Sequence, residues 1–289
     1  MTDFIKLHKK NFNFKQFISG AFKEDVGDGD HTSLSIIPKD HTGKMQLLAK
    51  EEGVIAGVEA ARFIFKQLDK SVKIKVLIKD GARIKKGDVI FTLEGNSRKL
   101  LTAERLVLNI MQRMSGIATK TNHLQNLCRG TKTKVIDTRK TTPGFRFFEK
   151  WAVVIGGGAN HRYGLYDMIL IKDNHIDFAG GVIKAIKAAS SYVRSKRKKL
   201  AIEVETRSLE DVKQVIKHGA VQRIMLDNYT PEETLAAVKL IKGKFEVESS
   251  GGITERNIRE YAVCGVDFIS VGALTHHVRG LDLSLKAVK

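Results

Sequence analysis

Cysteine is nearly missing from this chain, with two among 289 residues. Cys128 and Cys264 stand far apart, in no CxxC pair and at no cysteine–histidine spacing suited to zinc. A structural zinc module is therefore excluded, and two lone thiols point to core packing in a reducing compartment. Long hydrophobic runs are missing too. The longest, near Trp151 to Ala159, is too short to cross a bilayer, and the opening FIKLHKKNFNFKQF lacks the continuous apolar stretch of a signal peptide. A cytoplasmic protein with no membrane partner is expected. Neither of the commonest nucleotide-binding signatures is present. Gly156-Gly157-Gly158 fails as GxGxxG because His161 stands where the last glycine is needed, and there is no GxxxxGK[ST] loop.

Negative charge is in short supply: 32 Asp and Glu face 50 Lys and Arg, a net charge of +18. Such an excess steers anionic partners toward the surface, and most of it reads as solvated lysine. The densest cluster, Arg194 to Lys199, has the composition of a nucleic-acid patch. It also lies where a helix should end before a strand at Leu200, and cations complement a helix C-terminus. No aromatic residue interleaves it, so no nucleic-acid partner is expected.

What is present divides near residue 100. From Gly43 to Arg98, short β-type runs such as KIKVLIKDG and DVIFTLEG alternate with glycine turns. Residues 103–128 carry a helical stripe (Leu106, Leu108, Ile110, Met111, Met114, Ile117), which Ser115-Gly116 should break or kink. Beyond it, short apolar strands are expected at 134–137, 168–171, 201–205, 223–227, 245–249 and 267–272, alternating with helices. Thr230-Pro231-Glu232-Glu233 reads as a capping box, and Ser208 with Asp211 as a weaker one. This alternation specifies an α/β fold with a parallel sheet. Almost every strand ends in polar chemistry, which favours a barrel-like closure, whose strand C-termini share one mouth, over an open sheet with a single crevice.

Arg139, Lys140, His161, Arg162 and Lys172 sit at the edges of apolar runs between Asp137 and His175. Half-buried cations are costly unless an anion meets them, so the density implies a pocket for a polyanionic substrate. Glu205 and Asp227 end neighbouring strands. Such a pair either binds Mg²⁺ or sugar hydroxyls, or pairs with nearby cations. Ser250-Gly251-Gly252, with a helix expected from near Thr254, and Gly272-Ala273 form a candidate phosphate cradle. For Arg105, the local pattern leaves open a surface partner of Glu104 and a functional role.

At these residues the chain resembles the quinolinate phosphoribosyltransferases. The matching segments run in family order: EDVGDGDHT (24–32), AERLVLNIMQRMSGIAT (103–119), DTRKTTPGFRFFEKWAVVIGGGANHRYGLYDMILIKDNH (137–175), EVE (203–205), LDN (226–228), SSGGI (249–253) and SVGALTH (270–276). Trp151 and His277 depart from the family's usual tyrosine and serine. The resemblance implies an N-terminal α/β sandwich, an incomplete α/β barrel with parallel strands, and a homodimer or larger homo-oligomer with shared sites. The domains expected are 1–112 (sandwich), 113–274 (barrel) and a 275–289 segment packing back on the first. It further implies transfer of phosphoribosyl from phosphoribosyl pyrophosphate to quinolinate with decarboxylation. A relative acting on another heterocyclic acid is the alternative. Arg105, from a neighbouring subunit, would join Thr138, Arg139, His161, Arg162 and Lys172 around quinolinate. Lys140, Glu205, Asp227, Ser250, Gly251, Gly252, Gly272 and His276 would hold phosphoribosyl pyrophosphate. Lys140, Lys172, Glu205 and Asp227 are the expected catalytic set, with Mg²⁺ at Glu205 and Asp227.

Overall fold

The computed structural model describes residues 4, 8 and 10–288. The chain folds into two compact units. One comprises the chain up to Asn122, Thr142–Gly157 and the chain from His277; the other comprises His123–Thr141 and Gly158–His276.

The first unit carries helices α1 (Phe14–Val26) and α2 (His31–Ile36), strands β1 (Thr42–Ala49) and β2 (Gly53–Val54), and helix α3 (Val58–Leu68). Strands β3 (Lys73–Val76), β4 (Arg83–Ile84) and β5 (Val89–Asn96) follow, then the long helix α4 (Ser97–Leu127), which runs on into the second unit. An antiparallel four-stranded sheet has the order β12-β1-β5-β3, with β12 (Leu283–Val288) supplied by the end of the chain. Alternation along β1 buries Met45, Leu47 and Ala49. Helix α3 buries Val58, Ala61, Ile64 and Phe65, and Asp80 caps it by accepting from the backbone of Val58 (2.8 Å) and Glu59 (3.3 Å).

The expected break at Ser115-Gly116 does not occur, and α4 continues through it as helix. The two residues serve packing. A Cβ on Gly116 would run into the carbonyl oxygen of Arg279, and Ser115 Oγ accepts from Ala56 N at 3.0 Å. The expected boundary at 112 falls inside this helix.

Helix α5 (Arg146–Ile155) is the other departure. It lies within the motif-rich stretch, yet belongs to the first unit. Its Phe147, Phe148 and Trp151 are buried, and Phe12, Phe14 and Phe17 meet the two phenylalanines at ring separations of 4.4–5.8 Å. Aromatic burial diverts this segment from the barrel.

The second unit holds six parallel strands in the order β6-β11-β10-β9-β8-β7. These are β6 (Lys134–Ile136), β7 (Ile169–Ile171), β8 (Ile202–Thr206), β9 (Arg223–Asp227), β10 (Glu246–Ser250) and β11 (Phe268–Ser270). From β7 to β11 each strand pairs with the next, and β11 returns to β6. Among the described residues, β6 is bridged on its free side only by Ala159, and it shares no ladder with β7. The barrel is thus incomplete at one seam. Helices α6 (Asp173–Ala179), α7 (Val182–Ser195), α8 (Leu209–His218), α9 (Pro231–Ile241), α10 (Ile258–Val263) and α11 (Ala273–His276) fill the connections. Thr230 and Glu233 form the expected capping box, and Ser208 caps α8 through Asp211 N at 3.1 Å. Helix α7 ends at Ser195, within the basic cluster.

Candidate active site

Parallel register lines up the strand ends. Glu203, Glu205, Arg223, Asp227, Glu248 and Ser250 fall at alternate positions and share one face of the sheet. At its rim, Lys172 Nζ lies 3.9 Å from Glu205 Oε2, and Asp173 N donates to Glu205 Oε1 at 3.3 Å. Burial, then the neighbouring Asp227 carboxylate, pushes Glu205 above the usual carboxylate range. Two carboxylates that repel one another beside a lysine form an oxygen donor set for a hard cation such as Mg²⁺.

The next loops add glycine. Gly251 has φ of +87°, and a Cβ there would collide with the Asn228 side chain, so backbone alone can approach this position. Gly252 has φ of +61° and opens onto free space. The helix expected from near Thr254 begins at Ile258 and is six residues long, because Asn257 Oδ1 accepts from Thr254 N at 2.7 Å and holds a turn instead. Convergent backbone, not a helix dipole, is therefore what this loop presents. A Cβ on Gly272 would lie 3.1 Å from both His276 Nε2 and Lys140 Cδ. Thr275 Oγ1 secures that arrangement by donating to the Lys140 carbonyl at 2.8 Å.

A second cluster lies after β6. Asp137 is fully buried and accepts from Asn160 Nδ2 (2.5 Å) and His161 N (3.0 Å). Thr138 Oγ1 accepts from Lys140 N at 3.0 Å, which turns the chain and leaves Arg139 and Lys140 exposed. Arg162 NH1 donates to the Met168 carbonyl at 3.2 Å. Burial and then the positive charge of Arg139 depress its pKa. Two mutually repelling guanidinium groups are what an anion with two carboxylates would relieve.

His161 is only 8% exposed. Its Nδ1 accepts from Arg162 N at 2.6 Å, and its Nε2 lies 3.1 Å from Glu203 Oε2 and 3.6 Å from Glu248 Oε2. Arg223 NH1 completes the group, 3.1 Å from Glu248 Oε2, with its guanidinium 3.9 Å from the Phe268 ring centroid. Burial raises the pKa of both carboxyls, to about 7 for Glu203 and about 8 for Glu248; the charge of Glu203 raises Glu248 further, whereas hydrogen bonding to Glu248 lowers Glu203. Among the described residues His161, Glu203 and Glu248 are the group spaced for a metal ion. Arg223 already stands beside it as a fixed cation, shared with Glu246 at 3.1 Å.

Two family models cover this chain. Quinolinate phosphoribosyl transferase, N-terminal domain, matches residues 30–115, and the C-terminal domain of the same name matches residues 117–286. The chain belongs to the quinolinate phosphoribosyltransferase family. It is 44% identical to a nicotinate-nucleotide pyrophosphorylase [carboxylating], chloroplastic, of Arabidopsis thaliana, across 95% of this chain and 83% of that protein. It is 41% identical to a probable nicotinate-nucleotide pyrophosphorylase [carboxylating] of Bacillus subtilis, across 95% and 93%. The crystal structure of NadC from Streptococcus pyogenes superimposes with a TM-score of 0.90 at 38% identity, covering 96% of this chain and 97% of that one. These neighbours fit the sandwich and incomplete parallel barrel described above. No helix among the described residues is long and apolar enough to cross a membrane.

Apart from Arg105, the site residues expected from the sequence fall in two groups within the second unit. Lys172, Glu205, Asp227, Ser250, Gly251 and Gly252 line consecutive strand ends, with Gly272, His276 and Lys140 gathered after β11. Thr138, Arg139, His161 and Arg162 lie on the two segments that Asp137 ties together. Arg105 is exposed on α4, in the first unit, and its charge acts on Glu104. Sequence reasoning missed Glu248 and Arg223, and gave Glu203 no role. An acid inside the apolar run FEVES was the available signal.

Proposed function

We propose that this chain transfers the phosphoribosyl group of phosphoribosyl pyrophosphate to quinolinate, releasing pyrophosphate and carbon dioxide and giving nicotinate mononucleotide, a step in making NAD. The observation that carries this reading is the presence of two groups of opposite charge in one barrel unit. The positive charge of Arg139 acts against that of Arg162, a repulsion that a bound dicarboxylate would relieve, while Glu205 and Asp227 stand beside a glycine-built loop. Arg139, Arg162 and Lys172, with Thr138 and His161 beside them, would hold quinolinate's two carboxylates. Glu205 and Asp227 would meet the ribose hydroxyls or Mg²⁺, and Ser250, Gly251, Gly252, Gly272 and His276 would receive phosphate oxygens. Mg²⁺, when bound, supplies positive charge against the pyrophosphate oxygens.

In the reaction the pyridine nitrogen forms a bond to the ribose C1′ as the bond from C1′ to pyrophosphate breaks. Positive character at C1′ faces the Glu205 and Asp227 carboxylates, and Lys140 offers a point charge to the departing oxygens. The pyridinium so formed then accepts the electron pair left when the adjacent carboxylate departs as carbon dioxide. A proton from solvent restores the ring carbon. Positioning and fixed charge would do most of the catalytic work.

The deciding experiment follows pyrophosphate release with quinolinate or nicotinate as acceptor. Quinolinate should support turnover and nicotinate should not; the reverse would replace quinolinate with another heterocyclic acid. Gly251→Ala should raise KM for phosphoribosyl pyrophosphate by roughly tenfold or more while leaving quinolinate KM near wild type, since the new methyl meets Asn228. An unchanged KM would remove the loop from phosphate binding.

The reading extends to a homodimer or larger assembly in which Arg105 serves a neighbouring subunit's site, which its exposure on α4 supports. Mixing inactive Arg105→Ala and Lys172→Ala protomers should then restore part of the activity. No recovery after demonstrated subunit exchange would make each site self-contained. A cytoplasmic location accords with Cys128 and Cys264, both buried and unpaired.

A further inference from the structure

We infer that Glu203, Arg223 and Glu248 form an internal strut that holds the His161 ring and thereby aims Arg162, making all three positioning residues for the acid-binding end of the site. The inference rests on the reading of that end as the quinolinate pocket. Residue 161 is clamped twice. Its backbone N–H donates to Asp137 Oδ1 at 3.0 Å, from the end of β6. Its ring faces the carboxylates of β8 and β10, at 3.1 Å from Glu203 Oε2 and 3.6 Å from Glu248 Oε2, an ion-pair approach rather than an aligned hydrogen bond. Because Nδ1 accepts from the Arg162 N–H at 2.6 Å, the ring proton belongs on Nε2, facing those carboxylates; this tautomer is assigned from the contacts. Arg223 from β9 donates to Glu248 Oε2 at 3.1 Å and lies 3.9 Å from Glu203, while its other nitrogens donate to Glu246 Oε2 at 3.1–3.2 Å and anchor it at the strand edge.

The cost of the arrangement argues for a purpose. Glu203 and Glu248 are fully buried, and well-packed apolar side chains in the same space would serve stability as well or better. What apolar residues cannot do is fix the rotation of an imidazole and, through its Nδ1, the peptide of the next residue. That peptide belongs to Arg162, whose guanidinium is repelled by Arg139. Without the strut, the loop can swing so that the two guanidinium groups move apart, and their fork for a dicarboxylate is lost. A metal ion is the less fitting occupant, because a fixed guanidinium already lies 3.1 Å from Glu248 and 3.9 Å from Glu203.

The test combines kinetics with ¹⁵N NMR of histidine-labelled protein, the His161 signal being assigned by its loss in His161→Gln. Wild-type His161 should show the Nε2-protonated tautomer, and Glu203→Ala should show a mixture of tautomers. In Glu203→Ala, kcat/KM for quinolinate should fall roughly 100-fold, with KM for phosphoribosyl pyrophosphate within about twofold of wild type. Glu203→Gln keeps an oxygen facing Nε2 and should recover kcat/KM to within about fivefold of wild type. An Nδ1-protonated ring in wild type would overturn the strut, even if Glu203→Ala failed to fold. So would equal losses in Ala and Gln variants, equal shifts in both substrates' KM, or a stoichiometric divalent ion that Glu203→Gln loses. If wild type released no pyrophosphate with quinolinate, the functional reading would fail separately, because the tautomer is read without turnover.

Discussion

Arg162→Ala should lower kcat/KM for quinolinate by roughly three orders of magnitude. Removing one partner of a desolvated, charge-assisted contact costs about 2–5 kcal/mol, and each 1.4 kcal/mol is about tenfold. Arg162 sits toward the upper end because it is half-buried and already strained by Arg139. The loss should be selective: KM for phosphoribosyl pyrophosphate should change by less than about threefold, since that substrate is assigned to the strand-end group. Arg139→Ala should behave alike. Arg162→Lys should recover only part of the loss, because an ammonium keeps the charge but not the planar fork. Steady-state kinetics with each substrate varied in turn decides this, and ordinary turnover by either alanine variant would dissolve the proposed pocket.

Glu149→Ala should destabilise the first unit by about 3 kcal/mol. Glu149 is fully buried within α5 and accepts from Arg113 Nε (3.1 Å) and NH2 (2.8 Å), and from Thr142 N (3.0 Å) and Oγ1 (2.9 Å). Its loss would deprive Arg113 of a buried counter-ion and Thr142 of an acceptor. Arg113 keeps about a quarter of its side chain in solvent, so the cost belongs at the low end of the range for broken buried pairs. A melting temperature lower by on the order of 5–10 °C is expected by calorimetry. Faster amide exchange should appear over 142–157. Glu149→Gln, which still accepts, should lose less. A melting temperature unchanged in Glu149→Ala would show that the aromatic contacts alone hold α5 in place.

Much of the second unit was legible in the sequence because its strands are buried on both faces and read as short apolar runs bounded by chemistry. Ile202–Thr206, Arg223–Asp227 and Glu246–Ser250 fall within a residue of the expected strands. Thr230 and Ser208 cap the helices they were expected to cap, since capping depends on a local hydrogen bond. Features decided by distant partners were not legible. Gly116 looks like a breaker until the Arg279 carbonyl fills the space where its Cβ would stand. Phe147, Phe148 and Trp151 look like any apolar helix face until the phenylalanines of residues 12–17 meet them. In the site, exposed cations and glycine loops advertised themselves. Glu248 and Arg223 did not, because an inward-facing acid and base inside strands differ from surface ones only after the barrel is formed.

The first unit's sheet has β12 as a flank of β1, with six register pairs from Lys44↔Val288 to Ala49↔Leu283. Its N-terminal strands leave the ribosome long before that partner exists. Until Leu283–Val288 emerges, β1 presents an open backbone edge, and the hydrophobic face behind it waits through synthesis of the whole barrel. A nascent chain of this kind is exposed to chaperones and to mispairing with its neighbours for most of its production. A stop codon placed before Leu283 would therefore yield aggregates rather than a smaller working enzyme.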